Sequence, residues 1–154
     1  MAQVMLRVWR EAYVGVLPPE VLAGLDHTEL AGAWEAAIAD PAGAVLVALD
    51  GARVVGFAAL APAADPDLFG APELRTLLVL PEERRRGHGS RLLAASAEAW
   101  REAGAALAAC WVLDADTVLR DFLERAGWGR DGARRVLSTG HAEVGVSRLH
   151  TDLS

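Results

Sequence analysis

The chain reads LLVLPEERRRGHGSRLL from residue 77 to residue 93. The apolar run that opens this stretch ends at a proline, which is typical of a buried strand. Three arginines and two glycines follow, and the leucines after them fall on one face of a helix. The sequence therefore predicts a strand over residues 73–80, a loop, and a long amphipathic helix over residues 87–104.

This strand–loop–helix arrangement favours a phosphate ligand. The first N–H groups of a helix have no partner inside the helix, and the helix dipole adds partial positive charge at that end. Gly87 and Gly89 lack a Cβ, so a ligand can approach the backbone closely. Arg84, Arg85 and Arg86 add positive charge. The stretch therefore predicts a site for a phosphate or pyrophosphate.

Other interpretations of the same residues are weaker. The arginines alone are typical of a solvated charge run in which Glu82 and Glu83 pair locally. The strand before them and the two glycines favour the phosphate site instead. A P-loop is excluded because no Lys-Ser or Lys-Thr pair follows the glycines, and no second strand–helix–strand unit with a ribose-binding acid indicates a Rossmann site.

The rest of the chain divides into short helices and strands. Asp50-Gly51 predicts a hairpin turn, and Asp26 with Glu29 predicts a capping box at a helix start. Helices are expected over residues 2–14, 19–25, 27–39 and 117–126, and further strands over residues 44–49, 53–60, 105–113, 133–138 and 143–150. This order predicts a mixed α/β sheet with helices on both faces.

Length and composition limit the function classes. The 154 residues suit one domain over residues 1–154, and 53% hydrophobic residues with a mean hydropathy of +0.22 supply its core. A net charge of -6 argues against a nucleic-acid partner. No apolar run reaches membrane-spanning length, and the single Cys110 suits a reducing compartment. We expect a cytoplasmic protein, and the abundance of Ala, Arg and Gly fits a GC-rich bacterial source.

Further segments accompany the Arg84-x-x-Gly87-x-Gly89 motif in a fixed order. DGARVVGF precedes it at residues 50–57, LLVLPE lies directly before it at 77–82, and FLERAGW follows at 122–128. In this order the segments resemble the GNAT acetyltransferase family over roughly residues 4 to 150. The resemblance implies a mixed, mostly antiparallel sheet with helices on both faces.

The resemblance also implies an activity and a cofactor. It implies transfer of an acetyl group from acetyl-CoA to a primary amine of a small molecule or peptide. The pyrophosphate is expected on the N–H groups of residues 85–90, with the His88 side chain pointing outward. The pantetheine arm is expected along the strand, and the Val79 N–H is expected to bind the thioester carbonyl. The cofactor-binding residues implied are Leu77, Val79, Arg84, Arg85, Arg86, Gly87, His88, Gly89, Ser90 and Asp116.

A general base is needed because an alkyl amine is mostly protonated at neutral pH. Glu73 is the candidate, since some members of the family carry a glutamate on this strand. Strand alternation would place Glu73, Arg75 and Leu77 on one face. The alternative is a strand-end carboxylate that is solvated or paired with Arg75.

The sequence departs from the family pattern at several points. Leu123 replaces the tyrosine that many members are thought to use as proton donor to the CoA thiolate. Asp116 replaces a pantetheine-contacting asparagine and is more simply the N-cap of the next helix. The family's first strand is expected to be missing or lost to a late start site, which would expose one sheet edge to a partner chain.

The remaining residues favour simpler roles. Cys110 is expected to be a buried small hydrophobe, and we predict no metal because His27, His88, His141 and His150 lack ligand spacing. Trp9 and Tyr13 lie on a helix that often borders the acceptor pocket. Alternative functions are an acyl-CoA-binding sensor or scaffold module, which Leu123 favours, and a protein N-terminal or lysine acetyltransferase. A homodimer is a further option, because dimers are common for this fold.

Overall fold

A six-stranded sheet organises the computed structural model, which describes residues 1–140 and 142–154 and leaves His141 outside the described residues. The helices in this part are α1 (Ala2–Ala12), α2 (Pro19–Ala23), α3 (His27–Ala39), α4 (His88–Glu102) and α5 (Thr117–Arg125). The strands are β1 (Ala44–Asp50), β2 (Arg53–Pro62), β3 (Pro72–Val79), β4 (Leu107–Leu113), β5 (Gly129–Ser138) and β6 (Glu143–Asp152). The predicted order of elements is confirmed.

The sheet is mixed and mostly antiparallel, as predicted. Its strands lie in the order β1-β2-β3-β4-β6-β5, and only the β3–β4 pair is parallel in the described part of the chain. The final hairpin is inserted so that β6 pairs with β4 and β5 forms the outer edge. The expectation that the family's first strand is missing stays a prediction.

Helices cover both faces of the sheet, which is also as predicted. On one face, Leu92, Leu93 and Trp100 of α4 pack with Leu123 of α5. On the other, Val4, Met5 and Val8 of α1 form a second core, and Trp34 of α3 meets Phe57 edge-on at 4.7 Å. Two separate hydrophobic layers therefore hold the sheet between them.

Helix α3 packs less deeply than its sequence predicts. Asp26 caps its start as expected, accepting from the N–H groups of Thr28 at 2.8 Å and Glu29 at 3.0 Å. Helical spacing predicts that Ala37 and Ile38 face inward together with Leu30 and Trp34, but both residues are exposed, so this prediction is wrong. Because α3 covers the edge strand β1 rather than the sheet centre, its last turn remains in solvent.

Strand β3 contains an irregularity that matters for the site. Ala59 pairs with Thr76 but Leu60 pairs with Leu74, which leaves Arg75 as an extra residue on β3. Alternation is therefore interrupted, and Leu74 and Leu77 contact the same core although they are three residues apart. The prediction that Glu73, Arg75 and Leu77 share one face is wrong for this reason.

Candidate active site

The two parallel strands at the centre of the sheet separate along their length. Within the described residues, β3 and β4 pair only at Glu73 and Ala109, although both strands run several residues further. Their carboxyl ends therefore diverge and leave a gap in the sheet. The loop that follows β3 and the start of α4 lie at the open end of this gap.

The loop between β3 and α4 has an unusual backbone path. A short 3-10 turn spans Pro81–Glu83, and two residues then take left-handed conformations, Arg85 with φ 60° and Gly87 with φ 84°. The left-handed region is accessible to glycine without strain, whereas Arg85 must be held there by its surroundings. Helix α4 begins directly afterwards, at His88.

This path leaves a row of free hydrogen-bond donors. The first helical bond runs from the Arg91 N–H to the Gly87 carbonyl at 3.0 Å. The six successive N–H groups of residues 85–90 have no protein acceptor within the described chain. Together with the positive end of the α4 dipole, these donors suit a diphosphate, so the residues present fit the group that the motif implies.

A buried carboxylate holds the loop in place from behind. Glu83 is only 4% exposed and bonds to Arg53 of β2 and, at 2.6 Å, to Arg86 Nη1. His88 is also buried, with Nε2 3.9 Å from Glu83. The Arg86 and His88 side chains thus turn toward Glu83, and the expectation of an outward His88 side chain is wrong. A buried carboxylate draws cationic and hydrogen-bonding partners to itself.

The other two arginines of the motif remain on the side of the gap. Arg84 and Arg85 both line it, and Arg85 is exposed. Arg84 Nε donates to the Val79 carbonyl oxygen at 3.3 Å, so this side chain folds back over the end of β3. Positive charge near the free N–H groups therefore comes from Arg84 and Arg85 rather than from all three arginines.

The edge of β3 presents backbone groups to the gap. The Leu80 N–H bonds to the Val55 carbonyl of β2 at 2.9 Å, so this N–H points toward β2. Because the backbone groups of successive strand residues point to opposite sides, those of Val79 and Leu77 point toward the gap. This is the orientation that an extended ligand arm would need to pair with β3 as an added strand.

A cleft of about 1330 Å³ follows from this geometry, and it extends from the gap along the groove between α4 and α5. The predicted binding residues that line it are Leu77, Val79, Arg84, Arg85, Gly87, Gly89, Ser90 and Asp116. Phe122 of α5 also lines the cleft, and a Cβ on Gly89 would lie 3.5 Å from its ring. Phe122 was not predicted from sequence as a lining residue, although it opens the FLERAGW segment.

Asp116 both caps a helix and lines the cleft. Its carboxylate accepts from the Leu119 N–H at 3.0 Å, which confirms it as the N-cap of α5. It is 8% exposed and also lines the cleft. The cap therefore fixes the first turn of α5 as one wall of the cleft.

Two residues singled out by sequence lie inside the core. Leu123 is fully buried, at 0% exposure, so this position faces the sheet rather than the cleft. Cys110 is 3% exposed on β4, and burial raises the pKa of its thiol. The prediction that Cys110 is a buried small hydrophobe is confirmed.

Glu73 lies at the point where the gap begins, and it does not line the cleft. Its carboxylate is 3.2 Å from Arg75 Nε and is 5% exposed. Burial raises the pKa of Glu73, and Asp65 adds to the rise, while Arg75 and Arg135 oppose it. The pairing with Arg75 agrees with the simpler alternative, and the catalytic role stays a prediction.

A polar network that was not predicted from sequence connects the loop before β3 to the final hairpin. Arg148 of β6 is 6% exposed and bonds to Asp67 at 2.9 and 2.5 Å and to Asp131 at 2.6 Å. Trp111 Nε1 donates to Asp65 at 2.8 Å, and Arg135 stacks 3.7 Å from the Trp111 ring. No local motif indicates that these residues are partners, because they come from four distant parts of the chain.

Neither a metal centre nor a membrane span is found in residues 1–140 and 142–154. No three His, Cys, Asp or Glu side chains in these ranges are grouped as metal ligands would be. No helix there combines the length and apolarity needed to cross a bilayer.

Comparison with known families decides among the phosphate-binding folds. The model of the acetyltransferase (GNAT) family matches residues 5–128. The chain belongs to the GNAT acetyltransferase family. It is an acetyl-CoA-dependent N-acetyltransferase, and its cofactor is acetyl-CoA. A comparison with curated protein sequences finds no match.

Solved structures share the fold of this acetyltransferase at low sequence identity. A GNAT-family protein from Desulfovibrio desulfuricans is 21% identical, with a TM-score of 0.70 over 99% of this chain and 92% of its own. The PaiA N-acetyltransferase from Thermoplasma acidophilum, in complex with coenzyme A, is 16% identical, with a TM-score of 0.76 over 98% and 89%. An aminoglycoside 6'-N-acetyltransferase complexed with coenzyme A is 14% identical, with a TM-score of 0.69 over 99% and 91%.

Proposed function

We propose that this acetyltransferase transfers the acetyl group of acetyl-CoA directly to a primary amine of a small molecule or peptide. The observation that carries the proposal is the row of free N–H groups over residues 85–90 at the open end of the β3–β4 gap. A diphosphate bound there would leave the pantetheine arm beside the backbone groups of Leu77 and Val79. The thioester would then lie deep in the gap, where the amine can reach its carbonyl carbon.

Direct attack is supported by the position of the only thiol. A mechanism through an acetyl-enzyme needs a nucleophile such as a cysteine thiolate near the thioester. Cys110 is the single cysteine of the chain, is buried in the core, and has a raised pKa. Because a buried neutral thiol is a poor nucleophile, the amine nitrogen itself is proposed to attack the carbonyl carbon. The amine loses a proton, and the sulfur of CoA gains one.

An apolar pocket beside the cleft supports a small acceptor with an apolar body. This pocket encloses about 620 Å³, and it meets the cleft at Val16, which lines both. Its walls include Val14 and Leu17 from the turn after α1, Leu22 from α2 and Val144 from β6. An amine carrying an aliphatic or aromatic group would bury that group here while its nitrogen pointed toward the cleft.

Glu73 is proposed as the general base. Its position where β3 and β4 part places it near the closed end of the gap. Its raised pKa lies closer to neutral pH than that of an ordinary carboxylate, which suits proton acceptance. The ion pair with Arg75 opposes the rise in the pKa of Glu73 but does not cancel it.

The test is release of CoA thiol from acetyl-CoA with a panel of primary amines, comparing wild type with Glu73→Gln. We expect turnover with alkyl and arylalkyl amines and a loss of about 100-fold in kcat in the variant, since general base catalysis contributes on this scale. The wild-type rate should rise with pH through the raised pKa of Glu73, because the protonated carboxyl cannot accept a proton.

Glu124→Gln is the matched control for this experiment. Glu124 is also a glutamate paired with an arginine, at 3.1 Å from Arg130 Nε, but it lies on the exposed side of α5. The control should keep wild-type kcat and the same acid limb. An unchanged rate in Glu73→Gln, or an equal loss in both variants, would remove Glu73 from the role of base.

Two alternative functions are separated by the same assay. A sensor or scaffold module would bind acetyl-CoA and release no thiol with any amine, and the buried Leu123 favours it, because this position offers no proton donor. A protein N-terminal or lysine acetyltransferase would acetylate peptides and ignore small amines. The free thiol of Cys110 supports a cytoplasmic enzyme, and the abundance of Ala, Arg and Gly supports a bacterial source. A homodimer stays a prediction.

A further inference from the structure

In the proposed acetyl transfer, no residue has yet been assigned to protonate the sulfur of CoA. When the carbon–sulfur bond breaks, the electron pair goes to sulfur, and a nearby donor makes CoA a better leaving group. Leu123 occupies the position of the family's usual tyrosine, but it has no proton to give and is fully buried. Cys110 is buried as well and does not line the cleft. Any protein donor must therefore come from another element.

Tyr13 is the only tyrosine in the chain, and it lines the cleft. It follows directly after α1, and its carbonyl accepts from the N–H groups of Val16 and Leu17, both at 3.0 Å. Its ring lies 6.2 Å from that of Trp9 at 48°. These contacts fix the residue where the turn after α1 meets the cleft, on the side of β3 and Asp116.

The other cleft-lining side chains with labile protons fit the role poorly. In the described part of the chain they are Arg84, Arg85, Ser90, Arg101, Thr117, Arg125, Trp128 and Thr151. The indole N–H of Trp128 donates hydrogen bonds but does not give up its proton. Guanidinium groups are not deprotonated in proteins, and aliphatic hydroxyls are much weaker acids than a phenol. The phenol of a tyrosine, with an ordinary pKa of about 10, is the group closest in acidity to a thiol.

We infer that Tyr13 donates its hydroxyl proton to the sulfur of CoA as the carbon–sulfur bond breaks. This inference rests on the proposed function. The amine nitrogen forms the new bond to the carbonyl carbon, the electron pair of the broken bond goes to sulfur, and the Tyr13 proton follows it. The amine proton passes to Glu73, the proposed base, and from there to solvent, and the tyrosinate regains a proton from solvent.

The surroundings of Tyr13 keep its hydroxyl in the donor form. Burial raises the pKa of Tyr13, the charge of the neighbouring Asp116 carboxylate and its hydrogen bond with the hydroxyl raise the pKa further, and Arg84 opposes these effects. The phenol is therefore neutral throughout the range of an ordinary assay. Asp116 is held by its cap bond to Leu119, so its charge stays beside the phenol.

The direct test measures the pKa of the CoA thiol while CoA is bound, from the ultraviolet absorbance of the thiolate, in wild type and in Tyr13→Phe. A hydrogen bond from the phenol to sulfur stabilises the thiolate, so we expect this pKa to be higher in the variant by about one pH unit. Calorimetry should show similar CoA affinity in both proteins. Equal thiol pKa values would overturn the inference, whereas absence of CoA binding to wild type would overturn the proposed function.

A second measurement uses the single tyrosine and needs no mutation. Protein produced with a fluorinated tyrosine carries it at position 13 alone, and fluorination lowers the pKa of the phenol without changing its shape much. If Tyr13 is the donor, the more acidic phenol changes kcat while the affinity for CoA stays as in the unmodified enzyme, and Tyr13→Phe loses about 100-fold in kcat. Equal kcat in the fluorinated and unmodified enzymes, together with wild-type kcat in Tyr13→Phe, would refute the role.

Discussion

Gly87 and Gly104 mark the two ends of α4 with nearly the same backbone conformation, φ +84° and φ +79°. At both positions a Cβ would meet no atom within 4 Å, so the penalty for alanine comes from the left-handed backbone alone. We expect Gly87→Ala and Gly104→Ala each to lower the free energy of unfolding by about 1 kcal/mol, measured by urea denaturation.

The two substitutions should differ in their effect on CoA. Relaxation at position 87 would turn the free N–H groups away from the diphosphate, so Gly87→Ala should weaken CoA binding about fivefold, the equivalent of about 1 kcal/mol. Gly104 lies at the far end of the helix and does not line the cleft, so its variant should bind CoA like wild type. Equal affinities in calorimetry would show that the loop geometry does not depend on Gly87.

The positions of loop residues could be predicted from sequence only where the residues that fix them are close by in the chain. Gly87, Gly89 and Arg84 lie where the strand–loop–helix pattern places them, since that pattern is contained in adjacent residues. Arg86 and His88 turn toward Glu83 because Arg53 and Glu83, thirty positions apart, form the ion pair that fixes the loop. No spacing rule within the loop indicates that contact.

Helices α3 and α5 both begin with an aspartate N-cap, but the two caps have different neighbours. Asp26 caps α3 on one face of the sheet, and Asp116 caps α5 at the wall of the cleft. Loss of an N-cap carboxylate costs about 1 kcal/mol, so Asp26→Ala and Asp116→Ala should lower the free energy of unfolding similarly. Only Asp116→Ala should also weaken CoA binding, because the first turn of α5 lines the cleft. Loss of CoA affinity in Asp26→Ala would contradict this.

The elements themselves could be predicted because their signals are local. The Asp50-Gly51 turn, the Asp26 cap and the proline after β3 each act within a few residues. The extra residue at Arg75 could not be predicted, since it exists only in the register between β2 and β3. The exposed last turn of α3 depends likewise on the position of the helix over an edge strand.

At the scale of the whole molecule, the cofactor side of the site can be predicted from sequence better than the acceptor side. The cofactor side is built from β3, the loop and α4, which are contiguous in the chain. The proposed acceptor side joins the turn after α1 and helix α2 to the start of β6, which come from opposite ends of the chain. Its shape therefore depends on tertiary packing that no single segment encodes.

Binding of CoA should stabilise the whole domain through the diphosphate. The chain carries a net charge of -6, so it repels an anionic ligand at long range and depends on local donors to hold it. At about 100-fold over Kd, CoA should add ~2.7 kcal/mol, which for a domain of this size raises the Tm by roughly 5 to 11 °C. Pantetheine, which lacks the diphosphate, should give little shift at the same concentration in scanning fluorimetry. If pantetheine matched CoA, the free N–H groups at the start of α4 would contribute nothing to cofactor binding, and the arm along β3 would account for it instead.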